Sequence, residues 1–105
     1  MKTASIFIAR DFSPSPAGRY VGDGPFPGQT FREQWLQPAV EQNDEVEVIL
    51  DGTDGYGSSF LEEAFGGLVR AGISALTLHR KLKLISSRKS YEARVWTYID
   101  RAAGA

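Results

Sequence analysis

The chain has 105 residues, 42% of them hydrophobic and 24% charged, and a formal net charge of −1. That length suits one domain, residues 1–105, with a core of its own, and the near-neutral balance excludes the strongly basic face of a duplex nucleic-acid binder. Having no cysteine excludes disulfides and thiolate chemistry, and a single histidine argues against a zinc centre, so neither a metal nor a cofactor is expected.

The elements are read in chain order. Ala4 to Ala9 reads as a first strand, interrupted too soon by Arg10-Asp11 to be the apolar region of a signal peptide. With no long apolar stretch, the expected setting is the cytoplasm, without a membrane partner. Residues 10–29 hold every proline except Pro38 and four glycines, the mark of a shaped surface loop; Tyr20 and Val21 could add a short strand. Thr30 and Glu33 have the spacing of a capping box and predict a helix with Phe31, Trp35 and Leu36 turned inward, kinked or restarted at Pro38. Val46 to Leu50 predicts the central strand.

After the glycine-rich turn Asp51-Gly-Thr-Asp-Gly-Tyr-Gly, Ser59 and Glu62 repeat the capping-box spacing. Behind them Phe60, Leu61, Ala64, Phe65 and Leu68 predict one buried face of a helix over Phe60 to Ala71, with Gly72 as its left-handed cap. Gly66-Gly67 costs that helix about 1 kcal/mol per residue relative to alanine, which points to a close backbone approach or a hinge. A strand is predicted near Ala75 to His79, with alternation running on through Leu82 and Leu84. A last helix is predicted over Arg88 to Ala102, presenting Tyr91, Val95, Tyr98 and Ala102 on one side. The order suits an α/β fold with a mixed sheet of about four strands and helices mainly on one face.

Several pieces carry a family resemblance: Phe12-Ser13, Pro16-Ala-Gly-Arg-Tyr20, Gly28-Gln-Thr-Phe-Arg32 with Leu36 and Pro38, and above all Ser58-Ser-Phe-Leu-Glu-Glu-Ala-Phe-Gly-Gly-Leu68. In these the chain resembles the STAS-like proteins grouped as domain of unknown function 4325, which are distantly similar to the STAS domains of bacterial anti-anti-sigma factors. The resemblance implies a small α/β, non-catalytic signalling module that binds a GHKL-type ATPase or kinase and is switched by phosphorylation of a serine at a helix start. In the switch motif Asp-Ser-Ser-Gly-Leu, Gly57 here falls at the aspartate, Ser58 and Ser59 at the serines, Phe60 at the glycine and Leu61 at the leucine. Ser59 is then the implied phosphate acceptor, with Ser58 beside it.

Two readings of Ser59 stay open, a helix cap alone and a cap used as a switch. Arg19 and Arg32 flank the irregular loop and could line an anion pocket at the start of the second helix, or simply anchor the loop. Asp54 sits where turns favour aspartate, while Tyr56, Gly57 and Phe60 complete the candidate contact surface. The alternative function is a small enzyme or ligand-binding subunit in which Asp54, Ser58 and Arg19 or Arg32 hold an anionic substrate. His79 and the basic run after it read as a solvated strand edge. Homo-oligomerisation is left open.

Overall fold

Three short runs form a parallel sheet in the order β1 (Thr3–Phe7), β2 (Glu45–Ile49), β3 (Leu82–Ile85). The computed structural model describes residues 1–104. The register places Ala4, Val46 and Leu82 in one row and Ile6, Val48 and Leu84 in the next, so one face of the sheet is apolar. Rows of opposite parity, such as Ser5, Glu47 and Lys83, face the other way, and there the Ser5 hydroxyl donates to Glu47 at 3.3 Å. The apolar face packs into one core with Phe31, Leu36, Val40, Leu61, Phe65, Leu68, Val95 and Ile99. The helices therefore cover one face, as expected, but the sheet has three strands rather than four and is parallel rather than mixed.

Two segments account for the difference. Val21 enters a short 3₁₀ turn, Val21–Asp23, because the Asp23 carboxylate accepts the amides of Arg19 and Tyr20 at 3.1 and 2.8 Å. Ala75 to His79, expected as a strand, is helical: Ser74 accepts the Thr77 amide at 3.1 Å as an N-cap and starts α3, Ala75–Lys81. In that helix Leu78 is buried while Leu76 is exposed, so the alternation of the sequence belongs to helical spacing. His79 to Lys81 form the end of α3 rather than a strand edge.

Helix α1 spans residues 28–42 and starts at Gly28, two residues before the predicted Thr30 cap. Its N-cap is Pro27, and Glu33 accepts from Gln29 at 3.3 Å instead of closing a capping box. Pro38 has no N–H for the Gln34 carbonyl. The helix absorbs this by widening one turn over Arg32–Leu36, where the Gln37 amide bonds the Arg32 carbonyl. Trp35, predicted inward, is 39% exposed, whereas Phe31 and Leu36 are buried.

Helix α2 spans residues 58–70 and buries Phe60, Leu61, Ala64, Phe65 and Leu68 as the spacing predicts. It closes in a Schellman motif, with Gly72 at φ +107°, its amide on Val69 and the Ile73 amide on Leu68. Helix α4, Lys89–Ala102, packs Val95 and Ile99 against α2 and the core. Because the Leu68 side chain has no solvent exposure, Leu68→Ala should cost about 2–5 kcal/mol in urea unfolding. A loss below about 1 kcal/mol would contradict this packing.

Candidate functional site

The loop from β2 to α2 is fixed from both sides. Gly52 and Gly55 adopt φ +97° and +129°, the left-handed turns that aspartate-glycine pairs supply. The Asp51 carboxylate accepts the Ser87 amide at 2.8 Å and its hydroxyl at 3.0 Å, joining this loop to the one after β3. Those bonds, the amide first, hold its pKa below the usual carboxylate range. Asp54 donates its amide to the Pro14 carbonyl at 2.8 Å and accepts from the Ser15 hydroxyl at 2.5 Å, tying down the proline-rich loop.

Tyr56 and Phe60 face inward. The Tyr56 hydroxyl donates to the Leu50 carbonyl at 2.7 Å, and burial pushes its pKa up to about 12. Its ring stacks on Phe60 at 5.9 Å, and Phe60 lies 5.9 Å from Phe31 and 6.3 Å from Phe12. These two candidates set the position of the helix start and are not themselves presented to a partner.

Gly57 is the N-cap of α2, with Ser58 and Ser59 its first two helical residues. Both serines are exposed, and among the described residues neither hydroxyl bonds a protein group. The expected Ser59 cap is therefore not formed. Glu62, its intended partner, is held elsewhere: Arg19 donates to it at 2.5 Å and Arg70 at 2.7 and 3.0 Å. Beside it Glu63 is buried at 6% exposure and accepts from Arg32 at 2.9 Å, with Arg70 at 3.4 Å and Arg19 at 3.7 Å. Arg32 also donates to the Glu63 carbonyl and to Gln37, each at 3.3 Å. Three guanidiniums thus face two carboxylates across the joint of loop, α1 and α2. Arg19 and Arg32 both reach Glu63, and their partners are Glu62 and Glu63, so an open anion pocket between them is not formed.

The model of the STAS-like domain of unknown function (DUF4325) matches residues 27–92, most of the chain and all of α1, β2, α2 and β3. The chain belongs to this family. No curated protein and no solved structure matches it. The match opens at the N-cap of α1, so Arg19 and the irregular loop precede it, while Arg32, Ser58, Ser59, Glu62 and Glu63 lie within.

In this STAS-like domain the paired glycines of α2 make room for the ion pairs. A Cβ on Gly66 would stand 2.5 Å from Glu62 Oε2, and one on Gly67 would stand 2.5 Å from Arg32 Nε. The helix widens over Glu62–Gly66 at the same place, with the Gly67 amide on the Glu62 carbonyl. The predicted close approach exists here mainly to side chains, with the Tyr98 carbonyl a lesser neighbour of Gly66 at 3.3 Å. Among the glycines, the tightest helix-to-helix backbone approach is at Gly28, whose Cβ would be 2.6 Å from the Phe60 carbonyl oxygen. Sequence reasoning missed Glu63 and Arg70; the available signal was Glu62-Glu63 about two turns ahead of Arg70 on one helix.

Hydrogen bonds from Arg70, then those from Arg19, hold the Glu62 carboxyl below its ordinary 4.5. A carboxyl depressed by folding contributes stability above its unfolded pKa and loses that contribution as pH falls through the folded value. Wild type should therefore lose stability in acid below about pH 4.5, and Glu62→Gln should show a flatter acid limb in thermal unfolding. Parallel profiles for the two proteins would contradict the assignment.

Proposed function

We propose that this STAS-like domain is a non-catalytic interaction module whose contact surface is the start of α2, Gly57 to Ser59, with the loop before α1, and whose partner is a GHKL-type ATPase. The observation that carries the reading is the pair of solvent-facing serines at the first turn of α2, their hydroxyls unused by the fold. The adjoining loop leaves large side chains in solvent, Tyr20 at 55% and Val21 at 61%, and Arg19 anchors that loop to Glu62. Exposed aromatic and aliphatic side chains rimmed by charge are the usual makings of a protein contact.

The same geometry supports a switch at Ser59. A phosphoryl group there adds about −1.5 to −2 charges next to the first-turn amides of α2, where the helix dipole favours an anion. Helical spacing puts Ser59 one turn from Glu62 and Glu63, so the new charge repels those carboxylates and competes with them for Arg19. Phosphorylation would thereby loosen the loop as well as place an anion in the interface. The alternative, an anionic-substrate site using Arg19 or Arg32, is less well supported because both guanidiniums already face carboxylates. Incubation with a GHKL-type ATPase of the same genome and ATP, followed by mass spectrometry, tests the switch: one phosphoryl group on Ser59 is the expected product. A complex without modification would reject the switch and keep the interaction.

A further inference from the structure

We propose that the cleft at the carboxyl ends of β2 and β3 binds a small polyhydroxylated anion of the monosaccharide-phosphate class. The cleft encloses about 330 Å³ and is lined by Asp51, Thr53 and Asp54 of the loop after β2 and by Ser87, Arg88 and Tyr91 of the loop after β3 and the start of α4. That volume lies at the small end of the range for ligand sites, about 300–1,000 Å³. Its position is the one where parallel α/β sheets gather their loops. The serines of the α2 start do not line it.

The walls are held in place, yet their polar groups are only half used. Asp51 spends Oδ1 on Ser87 and Ser86, and Asp54 spends Oδ2 on Ser15. Among the described residues, the second oxygen of each carboxylate, the Tyr91 hydroxyl and the Arg88 guanidinium bond no protein group. Arg88 is exposed, with its guanidinium carbon 6.0 Å from the Tyr91 ring centroid. The Tyr91 hydroxyl stands 3.4 Å from where a Cβ on Gly55 would be, so the two loops come within van der Waals reach there.

The charges sort by loop. Two carboxylates with free oxygens accept hydrogen bonds from neighbouring hydroxyls, and the planar guanidinium of the other loop receives an anion in bidentate fashion. A bare anion leaves both carboxylates unanswered and is repelled by them. A single ammonium opposite a carboxylate leaves the neutral Tyr91 hydroxyl unmatched. A molecule with several hydroxyls and one anionic end satisfies both walls.

Amide NMR titration of the full chain with ribose phosphate tests this, against inorganic phosphate, free ribose and glutamate. Saturable shifts at Gly52, Thr53, Gly55 and Ser87 are expected with ribose phosphate, and weaker binding with each control. Arg88→Gln should weaken ribose phosphate about tenfold, the loss of one charge-assisted contact. Asp54→Asn should weaken it several-fold, and both variants should keep a dispersed spectrum because neither residue is buried. No saturation with ribose phosphate, equal binding of inorganic phosphate, tighter binding of glutamate, or an Arg88→Gln affinity equal to wild type would each overturn the proposal.

Discussion

Glu63→Ala is expected to destabilise the domain by about 3–5 kcal/mol, the cost of breaking a buried ion pair from one side. Glu63 is 6% exposed and its partner Arg32 only 12% exposed at the side chain. Without the carboxylate, Arg32 keeps the residue-63 carbonyl and Gln37, both at 3.3 Å, and a long contact of 3.9 Å to the exposed Glu33 carboxylate. Arg70 and Arg19 lose their second carboxylate and are left with Glu62 alone. The penalty comes from the stranded charge rather than from the pair itself. Glu63→Leu combined with Arg32→Met should therefore recover most of the loss, since a packed apolar pair often matches a buried ionic one. Urea unfolding of both proteins checks the account, and a Glu63→Ala loss under about 1 kcal/mol would contradict it.

Phe60→Ala is expected to cost about 3–5 kcal/mol, as for other fully buried phenylalanines. The ring joins Tyr56, Phe31 and Phe12, so its removal opens a cavity where loop, α1 and α2 meet. It also bears on the family comparison. The glycine that anti-anti-sigma motifs carry at this position is replaced here by a ring that anchors the first turn of α2, so Phe60→Gly should destabilise at least as much as alanine rather than restore a switch. Thermal unfolding of Phe60→Ala and Phe60→Gly decides this, and a Tm within about 2 °C of wild type would be the contrary result.

What could be read from residues alone was local. Val46, Val48 and Leu50 alternate without interruption, and Phe60, Leu61, Ala64, Phe65 and Leu68 recur at helical spacing, so β2 and α2 emerge directly. Gly72 follows the last helical turn and takes the left-handed cap that only glycine adopts freely. The errors lie where a distant residue changes the local outcome. Ser59 and Glu62 have the spacing of a cap, but arginines 43 residues earlier and 8 residues later hold the glutamate. Ala75 to His79 alternates for as long as a strand would, and only the Ser74 cap and the burial of Leu78 reveal a helix. Gly66-Gly67 pointed to a close backbone approach, whereas the nearest neighbours are side chains, the carboxylate of Glu62 and the guanidinium of Arg32, whose placement is a tertiary fact. For the site, the exposure of Ser58 and Ser59 could not be separated from capping before the charges of Arg19 and Arg70 were placed.

The interaction reading turns on whether the serine surface is where a partner docks. Titration calorimetry of a GHKL-type ATPase of the same genome with wild type, Ser59→Ala and Ser59→Asp tests this most directly. Because Ser59 makes no cap, Ser59→Ala should fold with wild-type stability and bind with near wild-type affinity. Ser59→Asp places a charge in the contact and should bind at least about tenfold more weakly, the equivalent of roughly 1.4 kcal/mol. Equal affinities for all three proteins, or no binding by any of them, would contradict the account.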